Sequence, residues 1–293
     1  MDPSSLVQGL VAGCIYALTG LTLNVIYRPT NVFNFSQGAL VMIGAMLFAW
    51  LVAGGRMSWY LAAMLAVGAV GLISLVIWLV AISPILRRPS GHGAGWIIST
   101  LAVTLILEDA VGKLVGPDPR IVPPPPPMTM QFHQILGTDV SSYQAMVVVV
   151  MLLTVATMGW FYSRRTGAAI LAIAEDRDAA MLRGIDPGQL GLLSCVVGGA
   201  MAGFVGILAA PMMYASVSLG PMLLIRGFEA VAIGGTGSVR GVVLGGCILG
   251  VFEAIGSSLM SPGYQSAATF ALLLLILLVR PQGLFGTTTA RVI

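Results

Sequence analysis

An all-α polytopic membrane protein with about eight or nine transmembrane helices is the fold class this sequence predicts, on three observations. Hydrophobic residues fill 57% of the 293 positions, and charged residues only 9%. Soluble domains usually carry about 25% charged residues, so water is not the main solvent of this chain. The apolar runs also recur at the length of about 20 residues that a helix needs to cross a bilayer. Mean hydropathy is +0.97.

Apolar runs bounded by charges and prolines predict helices near 5–27, 36–54, 58–82, 95–116, 142–163, 190–212, 222–238, 241–259 and 264–280. The first run follows Met1-Asp2-Pro3, which lacks a basic leader, so it is expected to be retained as a spanning helix. The 222–238 stretch holds Arg226, Glu229 and the Gly234-Gly235-Thr236-Gly237 cluster, which marks it as short, tilted or re-entrant. Eight crossings result if it does not span, nine if it does. Glycine clusters such as Gly198-Gly199, Gly203 and Gly206, or Gly241, Gly245, Gly246 and Gly250, suit close helix packing in lipid.

Basic residues set the orientation. With the N-terminus outside and the C-terminus cytoplasmic, ten of the 14 fall on the inner side, including Arg28, Arg87, Arg88, Arg164, Arg165 and Arg280. Arg56, Lys113, Arg120 and Arg226 fall toward the outside.

The outer loop 117–141 contains Pro123 to Pro127, a run without backbone donors that favours extended polyproline II. It reads equally as a plain connector and as a contact surface for an external binding protein.

The composition excludes several function classes. A net charge of +3 without a dense basic run does not suit nucleic acid. Cys14, Cys195 and Cys247 each lie in an apolar run, where a thiol acts as a small hydrophobe, so neither disulfide nor metal site is expected. His92 and His133 lie in separate loops, away from any nucleophile pattern. No catalytic constellation and no phosphate-binding Gly-x-x-x-x-Gly-Lys-Ser/Thr loop is present, so the chain is not expected to be an enzyme or to bind a cofactor.

Two polar breaks stand before outward-running helices. Asn31, Asn34, Ser36 and Gln37 form the first; Thr236 and Ser238 lie in the second. Free N–H groups at helix starts favour anions, and broken helices recur in transporters, which makes these residues candidates for a substrate path. Ser36-Gln37-Gly38 and Ser238-Val239-Arg240-Gly241 read as corresponding points of an internal repeat, or simply as helix caps. Among acidic residues near apolar surroundings (Glu108, Asp109, Glu229 and Glu253), Glu229 is the deepest and joins the path candidates. Asp109 is placed to pair with Lys113, and Arg226 with Glu229.

The inner loop 164–190 carries the segment Glu175-Asp176-Arg177-Asp178-Ala179-Ala180-Met181-Leu182-Arg183-Gly184. Its pattern predicts one short amphipathic helix, with Ala172, Ala179 and Leu182 on one side and Gly184 as its terminator. Asp178-Ala179-Ala180, three residues, then Gly184 resembles the Glu-Ala-Ala-x-x-x-Gly loop of ABC importer permeases. Gly13-Cys14-Ile15-Tyr16-Ala17-Leu18, Asn31 to Gly38, Gly234 to Gly241 and Arg280-Pro281-Gln282-Gly283-Leu284-Phe285-Gly286 resemble the branched-chain amino acid permease family, in its shorter subunit type.

The resemblance covers nearly the whole chain and implies a single permease transmembrane domain over 1–293. It implies that Glu175, Asp176, Arg177, Asp178, Ala179, Ala180, Arg183 and Gly184 dock against an ATPase and transmit its closure. The implied partners are a second permease, two ATP-binding subunits carrying ATP and Mg, an extracytoplasmic substrate-binding protein and membrane lipid. Ala168 and Leu171 stand where the family usually has arginines, and Thr236 where it has an apolar residue. The implied solute is a branched-chain or other small amino acid, or a related polar compound such as urea, an amide or an organic acid, and the implied location is the cytoplasmic (inner) membrane of a bacterium. An ion-coupled secondary transporter or channel is the alternative, and it leaves the coupling-loop pattern unexplained.

Overall fold

A computed structural model of the chain describes residues 3–55, 57–86, 95–128, 130–135, 138–259 and 262–286. Arg56, Arg87, Arg88 and His92, used above for topology or loop assignment, lie outside the described residues, as does Arg291, another of the ten basic residues assigned to the inner side. Twelve helices are described: α1 (Pro3–Thr30), α2 (Gln37–Val52), α3 (Trp59–Ile77), α4 (Ser83–Leu86), α5 (Gly95–Val115), α6 (Ser142–Tyr162), α7 (Arg165–Glu175), α8 (Arg177–Leu182), α9 (Pro187–Met213), α10 (Leu219–Gly234), α11 (Val239–Leu259) and α12 (Pro262–Val279). A π-helical turn, Trp78–Ile82, joins α3 to α4, making one apolar stretch from Trp59 to Leu86.

All nine segments expected from the apolar runs are helical among the described residues, and five of the helices are long and apolar enough to cross a membrane. Side chains such as Leu72, Leu79, Leu152 and Leu153 point outward from them. An apolar outer surface is what a lipid solvent requires. The 222–238 segment is corrected at its end: α10 stops at Gly234, and the glycine cluster beyond it forms the turn into α11. At 16 residues, α10 is shorter than a full span.

The 117–141 loop is not extended throughout, and its proline run is held in place. The indole of Trp59 donates to the Pro123 carbonyl at 3.2 Å, and the Tyr60 hydroxyl to that of Pro126 at 2.5 Å, tying the proline run to the start of α3. Its second half forms an antiparallel hairpin, β1 (Phe132–Ile135) with β2 (Thr138–Ser141). His133, expected in a loop, therefore lies in a strand.

The chain divides into two compact units. One comprises Val25–Pro127 and Gly159–Leu224, and its centre is α9, which packs against both α2 and α3. A Cβ on Gly203 would press on Val70 of α3, and one on Gly206 on the Val41 carbonyl of α2. Polar side chains add fixed points: Gln37 Nε2 donates to the Gly198 carbonyl at 2.7 Å, and Ser74 Oγ to that of Cys195 at 2.6 Å.

The other unit comprises Met1–Asn24, Met128–Met158 and Ile225–Ile293. Here α11 takes the central place. Its Gly246 and Gly250 meet Ala17, Gly13 and Gly9 of α1, while Gly245 faces the Ala230 carbonyl of α10. Glycines four residues apart on both α1 and α11 let the two backbones touch, which is how helices gain contact energy where no hydrophobic effect drives them together. All three cysteines are free thiols.

Candidate functional site

In the inner loop the single expected helix is two. Asp176 ends α7, and its side chain then caps α8, accepting from the N–H groups of Asp178 and Ala179 at 3.0 Å each. The aspartate thus breaks the helix that its charge appeared to decorate. The apolar face lies on α7, where Gly167, Ile170 and Ile173 are buried, and α7 rests on α9. Ala180 is the buried residue of α8, whereas Ala179 and Leu182 are exposed, Leu182 to 90%. The expected apolar side of Ala172, Ala179 and Leu182 is therefore corrected: its last two members face outward.

Gly184 terminates α8 as its position suggested. Its φ of +79° is left-handed, its N–H donates to the Met181 carbonyl, and the Ile185 N–H reaches back to that of Ala180 at 3.1 Å. This pair of bonds satisfies two end carbonyls and favours glycine at the turn. Asp186 then caps α9 through Gly188 and Gln189, with Pro187 in the first turn. Glu175, Arg177, Asp178 and Arg183 are exposed around this short, doubly capped helix. Arg28 lies over the Tyr162 ring at 4.2 Å and Arg164 over the Trp160 ring at 4.6 Å, contacts that hold these cations on aromatic faces.

The first polar break is buried. Asn31, exposed and at φ +53°, ends α1 by donating to the Tyr27 carbonyl. Asn34, Ser36 and Gln37 are each fully buried, and Asn34 Oδ1 accepts from both the N–H and the hydroxyl of Ser36. Asn34 Nδ2 and Gln37 Oε1 have no partner among the described residues.

The second break follows the same device with a residue that the sequence did not single out. Asn24 Oδ1 accepts from the Gly237 N–H at 2.9 Å, and Asn24 Nδ2 is buried without a partner among the described residues. Thr236 is exposed at the tip of this turn, and Ser238 is a helix cap whose Oγ accepts from the Gly241 N–H. The C-terminal segment holds the turn from beneath: Leu284 and Phe285 donate to the Ile233 and Gly234 carbonyls at 2.8 and 2.9 Å. Those are the carbonyls that the end of α10 leaves open.

Glu229 sits in α10 within a charged cluster that binds four helices of its unit. Arg226 bonds Glu229 at 3.0 Å and Glu253 of α11 at 2.7 Å. The Tyr16 hydroxyl of α1 donates to Glu253 at 2.7 Å, and Gln265 of α12 donates to the Glu253 backbone carbonyl. The Arg226–Glu229 pair was legible from its spacing; Glu253 and Tyr16 lie too far off in sequence to be paired with it. The expected Asp109–Lys113 pair forms at 2.7 Å on an exposed face, where it adds little stability.

Similar proteins agree with this architecture. Residues 5–279 match the family model described as the branched-chain amino acid transport system, permease component. The high-affinity branched-chain amino acid transport system permease protein LivH of Salmonella typhimurium is 32% identical over 95% of this chain and 94% of its own length. BraD of Pseudomonas aeruginosa, of the same description, is 32% identical over 96% and 94%. The solved structure of PsaBC from Streptococcus pneumoniae in complex with Fab shares the fold at TM-score 0.50 and 13% identity, over 95% of this chain and 91% of that one. The helices, their glycine contacts and a match over almost the entire length together place this chain in the permease-component family of branched-chain amino acid transport systems.

Proposed function

We propose that this chain is the membrane permease subunit of an ABC importer in a bacterial cytoplasmic membrane, passing branched-chain or other small amino acids inward at the expense of ATP hydrolysed on partner subunits. The observation that carries the coupling part of the reading is α8. A six-residue helix fixed by a cap at each end presents Leu182 and Met181, 90% and 46% exposed, on a rigid outward tip. Exposed apolar side chains on a rigid, charge-ringed support suit a partner surface.

Glu175, Asp176, Arg177, Asp178, Ala179, Ala180, Arg183 and Gly184 form this contact with an ATP-binding subunit, which carries the ATP and Mg. Because α7 rests on α9, a push on α8 reaches the helix at the centre of its unit. Residues 164–190 are then cytoplasmic, 117–141 faces an extracytoplasmic substrate-binding protein, the N-terminus is outside and the C-terminus inside. A second permease completes the pathway, to which Asn31, Asn34, Ser36, Gln37, Glu229, Thr236 and Ser238 contribute. Relatives described as branched-chain amino acid permeases support the choice of solute.

Gly184→Pro tests the coupling role. Proline cannot adopt φ +79° and removes the N–H that closes the α8 turn. The variant is expected to insert and assemble, yet to hydrolyse ATP without driving uptake. Uptake per ATP equal to the wild type, in proteoliposomes, contradicts the assignment.

A further inference from the structure

The Arg226 cluster holds one guanidinium against two carboxylates, which leaves one negative charge in excess inside a helix bundle of low dielectric. Its exposure is graded: the Glu253 side chain is 20% exposed, Arg226 12% and Glu229 1%. Glu253 is fully occupied, with one oxygen on Arg226 and the other on the Tyr16 hydroxyl. Glu229 is not. Its Oε2 takes the Arg226 bond, while Oε1 is buried without a partner among the described residues. Leaving such an acceptor unmet costs about 1–3 kcal/mol, more where it is charged.

Protonating Oε1 would remove the charge but not the need for a partner, because a buried hydroxyl is itself a donor. As a carboxylate, the position lacks a donor, and the excess negative charge favours a cationic one. An anion is disfavoured by both carboxylates. A urea or amide brings donors but no charge. A primary ammonium supplies both, and the Arg226–Glu253 side, at 12% and 20% exposure, is the more open side of the cluster.

We propose that Glu229, backed by Arg226 and Glu253, is a receiving site for a protonated primary amine, which makes the ammonium of the solute the group that this half of the permease recognises. The inference rests on the amino-acid importer reading above and sharpens it: solutes with an ammonium are accepted, and their deaminated counterparts are not. Tyr16 and Gln265 act as positioning residues, holding Glu253 so that Arg226 stays divided between two carboxylates.

The test is direct binding of radiolabelled leucine and of 4-methyl-2-oxopentanoate, its deaminated counterpart, to the detergent-solubilised permease–ATPase complex without its binding protein. Wild type is expected to bind leucine saturably and the oxo acid far more weakly. Glu229→Gln keeps the shape and removes the charge, and is expected to weaken leucine binding by about tenfold or more, the worth of a charge-assisted bond. Glu229→Asp is expected to restore much of it, and neither change should move the oxo acid. Unchanged leucine binding in Glu229→Gln overturns the proposal, as does oxo-acid binding equal to that of leucine in the wild type, a comparison that stands even if the variant fails to assemble. Absence of leucine binding by the wild type also overturns it. ATP-driven leucine uptake in proteoliposomes with the binding protein judges the importer reading separately, so the two can fail independently.

Discussion

Replacing Gly206 by valine is expected to prevent this chain from reaching its folded state in most molecules. A side chain there points at the Val41 carbonyl and the Ala45 N–H of α2, both backbone atoms that cannot step aside by changing rotamer. The two helices must separate, and every contact that α9 makes with α2 loosens with them. Overpacking a well-filled interior typically costs about 1–3 kcal/mol, and a backbone clash lies at or beyond the top of that range. Size-exclusion profiles and thermal unfolding in detergent measure the effect. Gly159→Ala is the control: among the described residues, no atom beyond its own stretch of helix lies within 4 Å of a Cβ placed there. Alanine is also the better helix former by about 1 kcal/mol, so that variant should match or exceed the wild type.

The second large effect is expected at Arg226. Changing it to methionine leaves Glu229 and Glu253 facing each other's charge without a cation, with Glu229 only 1% exposed. Removing one partner of a buried ion network costs about 3–5 kcal/mol, because the remaining charge stays out of water. A lowered unfolding temperature and reduced membrane yield are the readouts. The triple variant Arg226→Met, Glu229→Gln, Glu253→Gln should recover most of the loss, since it removes the stranded charges together with their counterion. Failure of the triple variant to recover while Arg226→Met is severe would mean that the arginine acts through packing of its stem rather than through charge.

These two sites also show what the sequence could and could not say. That Gly206 and Gly250 serve packing follows from their place in glycine-rich apolar runs, because lipid offers helices little other reason to associate. Which backbone each one touches is a long-range fact. Arg226 and Glu229 are three positions apart on one helix and read as a pair; Arg226 and Glu253 are separated by a turn and most of α11, and no local rule connects them. Asn24 escaped notice because it sits inside an apolar run, where an amide looks incidental, yet its carboxamide fixes the turn at Gly237.

The inner loop shows a different limit. Counting at 3.6 residues per turn treats Asp176 as one more exposed charge on a continuous helix. Its extended backbone and side-chain acceptor make it a boundary instead, and beyond it Ala180 is the buried residue of α8. Gly184 was legible because glycine just past a helix end has one common physical reason, the left-handed turn. The hairpin at Phe132–Ser141 was masked by the neighbouring prolines, which coloured the entire loop as extended spacer.

Purification of the tagged chain from the membrane in mild detergent, with identification of the co-purifying chains and an ATPase assay on the reconstituted complex, tests the central claim most directly. A second permease and ATP-binding subunits recovered together, with ATP hydrolysis stimulated by a solute-loaded binding protein and leucine accumulating inside the liposomes, is the result predicted for the importer subunit. A chain that purifies as a homo-oligomer, without ATPase, and still accumulates solute down an ion gradient would contradict it.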